Sequence, residues 1–317
     1  MSSSSLVSYE SMVHALSGSC GSCSAMAITL PLDTVRTRMI LDPSKGQADT
    51  FKLMLRILQD EGLMSLFHGA HSTITCVAVS NFIYFYTFHG LKQILVGPNA
   101  KQSASKDLVF ACLSGALNVF VTNPLWVVNS KLKMQGRGTA DLQGRRDGSG
   151  GPLKIKFKGL LDGLIKMVQS DGCAALWNGL AASLMLVSNP AIKFTVYEYL
   201  KRQVLKRQLS STSLSALPAF VLGVLASSVA TVATYPLQVV QVKLRHGHGY
   251  SNLSPNANTA KLFIYMIRNF GIGSLYRGLD GKLVQSLIAA GFMFLSYEKI
   301  SALIFALFGL RKAIKSA

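Results

Sequence analysis

The chain has 317 residues, of which 50% are hydrophobic and 15% are charged, and its mean hydropathy is +0.35. This composition excludes a disordered, collagenous or coiled-coil protein, and it disfavours a soluble globular protein, in which about 25% of residues are charged. The net charge of +18 predicts anionic partners, either acidic lipids or anionic solutes. Nucleic acid is not a predicted partner, because the basic residues follow no nucleic-acid-binding pattern.

The beginning of the chain predicts no targeting leader. Residues 1–12 are rich in Ser and contain no Arg or Lys, unlike a secretory leader or an amphipathic transit peptide. The five cysteines form an odd set, which favours reduced thiols over a disulfide framework. We therefore expect internal segments to direct the chain to its membrane.

Long apolar stretches recur along the chain, near residues 11–35, 72–97, 106–130, 179–200, 214–242 and 280–309. Each is long enough to cross a bilayer, which takes about 20 helical residues. Each also contains Ser, Thr, Asn, Gly or a single charge, as expected when one face lines water or protein. One such stretch could be a buried helix of a soluble protein, but the full set predicts six transmembrane helices.

Two motifs repeat three times. The first, third and fifth apolar stretches each end in a Pro-Leu motif, which begins at Pro31, Pro124 and Pro236. After each motif comes a pair of glycines seven residues apart, Gly62 and Gly69, Gly172 and Gly179, and Gly271 and Gly278. The repeats span residues 1–100, 101–208 and 209–317. The sequence therefore predicts an all-α membrane protein with six transmembrane helices in three tandem pseudo-threefold repeats, each with a short surface helix.

This pattern resembles the mitochondrial carrier family over the whole chain. The segments 8–10, 81–88, 123–129, 175–179, 189–192 and 235–238 are similar to a peroxisomal branch that carries coenzyme A, FAD and adenine nucleotides. Lys193 departs from that branch, in which an amide is expected at this position. The resemblance implies a carrier that opens to one compartment at a time.

The prolines predict one gate. A proline inside a helix removes a backbone hydrogen bond and bends the helix, so the odd-numbered transmembrane helices should converge at one end. The resemblance implies a ring there, with Asp33 facing Asn129, Trp126 facing Gln241, and Gln238 facing Arg36. These pairs contain no complete ion pair, which predicts a weakly locked gate.

The resemblance implies a second gate at the other end of the even-numbered helices. Its candidate residues, which lie at one height in the three repeats, are Lys92, Tyr197, Glu198, Lys201, Tyr297 and Glu298. Glu298 is expected to face Lys92 as an ion pair. The alternative is that these are ordinary helix-end charges that reach the membrane interface.

The resemblance also implies substrate contacts near the membrane midplane, about 17 Å along each even helix from the second gate. The candidates are Cys76, Met185, Leu186, Asn189, Lys193, Gln285 and Ser286. We expect Lys193 to face the cavity and meet phosphate, with an interfacial position as the alternative. Met185 and Leu186 would pack against a flat ring, although such apolar pairs also occur in plain helix packing.

Acidic phospholipids are expected partners as well. The six repeat glycines resemble the family's helix N-termini that hold lipid phosphate. Basic clusters at residues 129–158 and 201–207 could bind lipid headgroups, concentrate anions, or be read by a peroxisomal membrane-insertion receptor.

No arrangement of nucleophile, base and orienting group predicts an enzyme, and no metal-binding pattern is found. The resemblance implies a monomeric exchanger of coenzyme A, FAD, FMN, NAD, AMP and adenosine 3′,5′-bisphosphate in the peroxisomal membrane. These cofactors would be cargo rather than bound groups. Two alternatives stay open: a mitochondrial inner-membrane carrier for pyrimidine nucleotides, NAD or folate and FAD, which shares the tryptophan at Trp126, and a membrane docking protein that does not transport.

Overall fold

The computed structural model describes residues 3–41, 49–96, 104–135, 157–207, 216–247, 250, 252–254 and 257–292. Within these ranges the regular structure is helical and contains no strand. Two residues of the predicted second gate, Tyr297 and Glu298, lie outside the described residues.

Each repeat contributes a long helix, a short surface helix and a second long helix. The first repeat contains α1 (Ser3–Leu41), α2 (Thr50–Glu61) and α3 (Ala70–Val96). The second contains α4 (Ala104–Gln135), α5 (Leu160–Asp171), α6 (Leu180–Met185) and α7 (Asn189–Arg207). A single 3₁₀ turn, Leu186–Ser188, joins α6 to α7. The third contains α8 (Ala216–His246), α9 (Thr259–Phe270) and α10, whose described part covers residues 279–292.

Four segments of the described chain are long and apolar enough to cross a membrane. They are Leu63–Lys92, Lys106–Gln135, Cys173–Lys206 and Leu217–His246. With α1, a helix of 39 residues, and the described part of α10, they give each repeat a first and a last helix around its surface helix. The prediction of an all-α membrane protein built from three repeats is therefore confirmed.

The three prolines lie inside the long helices and do not end them. Pro31, Pro124 and Pro236 are interior residues of α1, α4 and α8. Beyond the prolines, α8 packs against both α1 and α4. The end of the bundle at which these helices meet is called the proline end below.

A small hydrophobic core holds each surface helix under its proline. In the first repeat Val35 of α1 packs with Leu53 and Ile57, which lie four residues apart on α2. Val127 and Val128 pack with Met167 of α5 in the same way. The third core is larger and is built around Val239, Val240, Leu262, Met266 and Leu275. These three cores attach the surface helices to the bundle at the proline end, where the candidate site lies.

Candidate functional site

The three helices that contain the prolines, α1, α4 and α8, contact one another pairwise at the proline end. Two of these contacts are made by α1. The Arg36 guanidinium donates a hydrogen bond from Nη2 to Oε1 of Gln238 on α8, at 2.9 Å. This is the facing that the resemblance implied. On its other side, α1 is tied to α4 by an ion pair between Asp33 and Lys133.

The ion pair corrects the predicted ring. Asp33 was expected to face Asn129, but its partner is Lys133, one helical turn further along α4. The Oδ1 atom of Asn129 instead accepts hydrogen bonds from the hydroxyls of Ser72 at 2.8 Å and Thr73 at 3.1 Å, both on α3. The expectation that the proline end contains no complete ion pair was therefore wrong.

The contact between α4 and α8 also lies one turn deeper than predicted. Trp126 was expected to face Gln241, but its indole Nε1 donates to Ser80 on α3 at 3.0 Å. Gln241 donates from Nε2 to Ser183 on α6 at 2.8 Å. Arg245, four residues after Gln241, closes the ring instead, because its guanidinium lies 5.8 Å from the centre of the Trp126 ring.

One amide and one phenol hold the residues around this ring in place. Arg245 Nη2 donates to Oδ1 of Asn123 at 3.3 Å, and Asn123 in turn donates to the carbonyl of Asn178 at 3.3 Å. In the third repeat, Tyr235 takes the equivalent position before the proline and donates to the carbonyl of Arg277 at 2.8 Å. Arg36 donates to the same phenol oxygen at 3.2 Å. The proline end is therefore closed by a connected polar network.

A cavity of about 550 Å³ rises from this closed end. Along α4 its wall runs from Lys133 to Leu108, which corresponds to about 38 Å of helix. This length is comparable to the thickness of a membrane, about 30 Å of hydrocarbon. The cavity therefore extends from the proline end along the bundle for about the thickness of a membrane.

The charge on the cavity wall is strongly unbalanced. Among the described residues that line it, four are cationic and one is acidic, namely Arg36, Lys133, Arg245, Lys282 and Asp33. Cations in a wet cavity with low-dielectric walls concentrate anions and focus their field. The arrangement therefore suits a solute that carries several negative charges.

The upper wall offers a different surface. Tyr84, Leu186, Val187 and Pro190 line the cavity together with Trp126. An apolar and aromatic surface beside a group of cations can hold a flat ring while the cations bind its charged substituents.

The predicted substrate residues divide between wall and bundle. Leu186 and Asn189 line the cavity, and Asn189 donates from Nδ2 to Thr234 Oγ1 at 2.7 Å. Cys76 is fully buried, with its Sγ 3.6 Å from the carbonyl oxygen of Leu125. Met185 is exposed and is not a wall residue.

The remaining predicted contacts also lie away from the wall. Lys193 is exposed and is not among the lining residues, so the expectation that it faces the cavity is not met in this structure. Gln285 is buried, and its Oε1 accepts a hydrogen bond from Lys282 at 3.2 Å. Ser286 donates to the carbonyl of Leu283 at 2.8 Å. Lys282, three residues before Gln285, is the lysine of the described part of α10 that lines the wall.

At the opposite end of the cavity, the described residues form other pairs than the sequence predicted. Lys92 makes an ion pair with Asp107 at the start of α4, at 3.1 Å. Glu198 and Lys201 pair within α7 at 3.8 Å, one turn beyond Tyr197. Glu298, the predicted partner of Lys92, lies outside the described residues. A ring at this end stays a prediction.

The two glycines of each pair have different surroundings. Gly62, Gly172 and Gly271 have positive φ angles, and a Cβ atom there would meet nothing within 4 Å. Gly69 also has a positive φ, of 77°, but a Cβ there would lie 3.1 Å from Cγ of Lys133. A Cβ at Gly278 would lie 3.3 Å from Cγ of Arg36. The second glycine of each pair thus lets the following helix begin directly against the polar ring. Lipid binding at these glycines stays a prediction.

The sequence analysis missed three of the four cationic residues that line the described part of the cavity wall. Lys133 and Arg245 stand four residues after Asn129 and Gln241. Lys282 stands four residues after Gly278. Extending each repeated motif by one helical turn would have identified all three, because residues i and i+4 share a helix face.

Comparisons with known proteins agree with this architecture. A family model for the mitochondrial carrier protein matches residues 8–99, 100–208 and 212–307. The chain is 40% identical to peroxisomal membrane protein PMP34 of Mus musculus, over 98% of this chain and 99% of that protein.

More distant relatives are also carriers. The chain is 28% identical to peroxisomal adenine nucleotide carrier 1 of Glycine max, over 93% of this chain and 92% of that protein. It is 26% identical to the peroxisomal nicotinamide adenine dinucleotide carrier of Arabidopsis thaliana, over 92% and 95%. By these similarities the chain is a transporter rather than an enzyme, and a multi-pass protein of the peroxisomal membrane. The chain belongs to the mitochondrial carrier protein family.

Proposed function

We propose that the protein exchanges anionic nucleotide-type cofactors across the peroxisomal membrane by alternating access. The observation that carries this proposal is the cavity closed at one end, with four cations and one carboxylate among its described lining residues. The names of relatives that carry adenine nucleotides and nicotinamide adenine dinucleotide support the same class of cargo. The expected cargoes are coenzyme A, FAD, FMN, NAD, AMP and adenosine 3′,5′-bisphosphate.

The proline-end network supplies a physical reason for exchange. Opening that end separates Asp33 from Lys133 and Arg36 from Gln238. Separating a buried ion pair without replacing a partner is costly, because a charge is left uncompensated. A bound anion can take the place of the lost acceptor, so the loaded carrier rearranges more readily than the empty one. The carrier is therefore expected to return with cargo.

Uptake into liposomes tests the proposal. Purified protein is reconstituted into liposomes preloaded with AMP, and the uptake of labelled coenzyme A is measured. Uptake that requires internal AMP supports exchange, while uptake into empty liposomes would indicate uniport. An absence of uptake with every cargo of the panel would contradict the proposal and favour the docking protein.

A cargo panel and microscopy separate the remaining alternative. A clear preference for pyrimidine nucleotides, together with a mitochondrial signal from a tagged copy, would favour the mitochondrial carrier. The proposal predicts co-localisation with a peroxisomal membrane marker and counter-exchange of adenine-containing cofactors. Acidic phospholipid in the liposomes is expected to raise activity if the repeat glycines and basic clusters bind headgroups.

A further inference from the structure

Lys282 occupies an unusual electrostatic position at the closed end of the cavity. It lies in the first turn of α10 and lines the wall together with Arg36, Lys133 and Asp33. Its charge interacts with Arg36 and Lys133 as well as with Asp33. Asp33 is already paired with Lys133, and it is the one acidic group among the described wall residues. The cations here exceed the carboxylates available to them.

The other two repeats place hydroxyl groups where the third has Lys282. Thr73 and Ser183 stand four residues after Gly69 and Gly179, as Lys282 stands after Gly278. The Thr73 hydroxyl donates to Asn129, and the Ser183 hydroxyl accepts from Gln241. Each of these pairs is satisfied within the protein.

In the third repeat the corresponding neighbours are both cationic. Arg36 is the residue that matches Asn129 and Gln241 in the proline motif, so the equivalent pair is Lys282 and Arg36. Two like charges in a partly buried site repel each other, and an anion between them removes the repulsion. Lys282 donates to Gln285, and Arg36 donates to Gln238 and Tyr235, but these partners are neutral and leave the repulsion between the two cations in place.

The residues before Lys282 fix its direction. The Asp280 carboxylate accepts hydrogen bonds from the backbone N–H and the hydroxyl of Thr50 on α2, at 3.0 and 2.8 Å. Gly281 packs so closely there that a Cβ would lie 2.6 Å from Cγ2 of Thr50. Successive residues turn by about 100° around a helix, so Lys282 leaves α10 in a different direction from Gly281, and it lines the cavity wall. The lysine is held at the wall before any cargo arrives.

We propose that Lys282 and Arg36 form a phosphate subsite at the closed end of the cavity, which orients the phosphate of the cargo toward the proline end. This proposal rests on the proposed function. The ring of the cargo then lies further up the wall, near Tyr84 and Leu186. A phosphate in this subsite also lies beside the Asp33–Lys133 pair, where its charge competes with Asp33 for the lysine.

Ligand-dependent thermal unfolding of the purified full chain tests the subsite without transport. Inorganic pyrophosphate and AMP are expected to stabilise the wild type, and adenosine is expected to do so far less. Lys282→Gln should weaken the apparent affinity for pyrophosphate about 10- to 100-fold, because one charge-assisted contact is lost. Lys282→Arg should keep most of the affinity. The matched control is Lys261→Gln, at an exposed lysine of α9 outside the cavity, which should change nothing.

A second measurement uses the wild type alone, so that a folding defect of Lys282→Gln does not obscure the result. Pyrophosphate should protect Lys282 from a small amine-acylating reagent, read out by peptide mass spectrometry, and leave Lys261 reactive. Wild-type affinity in Lys282→Gln, or equal acylation of Lys282 with and without pyrophosphate, would overturn the proposal.

The subsite and the proposed function can fail separately. If pyrophosphate binds in a Lys282-dependent manner but no cofactor is exchanged, the subsite stands and the transport proposal fails. If cofactors are exchanged normally by Lys282→Gln with unchanged KM, the transport proposal stands and the subsite fails. Protection of Lys282 by vesicles of phosphatidic acid but not by pyrophosphate or AMP would assign the phosphate to lipid and overturn the cargo subsite.

Discussion

Asp33 and Lys133 join α1 to α4 through an ion pair whose side chains are 14% and 6% exposed. The pair forms one turn beyond Asn129, the residue that the resemblance placed opposite Asp33. As a result, the proline end contains a complete ion pair, called the lock below, although Asn129 and Gln241, which match Arg36 in the proline motif, are amides. The lock depends on a long lysine side chain that reaches across the helix interface.

Neutralising Asp33 should make the carrier leak. Asp33→Asn leaves Lys133 buried without its carboxylate, and breaking a buried pair in this way costs about 3 kcal/mol or more. The closed proline end is then less favoured, so efflux of labelled AMP from liposomes without external cargo should rise.

The double variant Asp33→Asn/Lys133→Gln is the control for this lock. It removes both charges together and should leak less than Asp33→Asn. Equal and low efflux from all three proteins would show that the ion pair does not hold the gate.

Trp126 should contribute through its ring and its N–H separately. Trp126→Phe keeps a ring under Arg245 but loses the hydrogen bond to Ser80. Trp126→Leu loses both, so the α4–α3 contact through Ser80 and the α4–α8 contact through Arg245 should each weaken by about 1 kcal/mol. The unfolding temperature should therefore be highest for the wild type, lower for Trp126→Phe and lowest for Trp126→Leu. If the Phe and Leu variants unfold alike, the cation–π contact is not significant.

Gly163 should tolerate no side chain. A Cβ there would lie 2.3 Å from Cγ1 of Val128, inside the core that attaches α5 to α4. Gly163→Ala is expected to destabilise the protein by about 1–3 kcal/mol through overpacking. Adding Val128→Ala, which removes the clashing methyl groups, should restore part of the loss.

The control for this prediction is Gly90→Ala on α3, where a Cβ would meet nothing within 4 Å. It should leave the unfolding temperature unchanged or slightly raised. A loss at Gly90 equal to that at Gly163 would contradict the steric explanation.

Asp280 should act as a helix cap supplied by another repeat. Its carboxylate binds the first residue of α2, Thr50, and so joins the third repeat to the first. Asp280→Ala should cost about 1 kcal/mol in unfolding free energy, in the usual range for a lost N-terminal cap.

Asp162→Ala is the matched control for the cap. A hydrogen bond from Lys166 in the same helix holds the pKa of Asp162 below its ordinary value, but such exposed pairs contribute little to stability. A smaller loss at Asp280 than at Asp162 would contradict the cap.

The sequence predicted the architecture because its signals are local and repeated. The same place in three similar segments is occupied by Pro31, Pro124 and Pro236. The starts of α3, α6 and α10 are marked by Gly69, Gly179 and Gly278. The contact between Arg36 and Gln238 agrees with the facing that the family resemblance implied.

The individual partners in the ring could not be predicted in this way. Whether Asp33 binds Asn129 or Lys133 depends on side-chain reach and on competition from the Ser72 and Thr73 hydroxyls for Asn129. The substrate positions stay a prediction for a related reason. Counting residues along a helix gives the height of Gln285, but the packing of α10 on α2 decides that Lys282 faces the cavity.

We propose that anionic cargo passes through this cavity, and Cys112, a half-buried residue of the cavity wall, allows this passage to be blocked chemically. In a chain whose other cysteines are alanine, a membrane-impermeant thiol reagent should abolish AMP–coenzyme A exchange, and excess AMP should slow the modification. A matched chain that keeps only Cys173, exposed on the surface outside the cavity, should retain exchange after the same treatment. Full exchange by the protein modified at Cys112 would contradict the account.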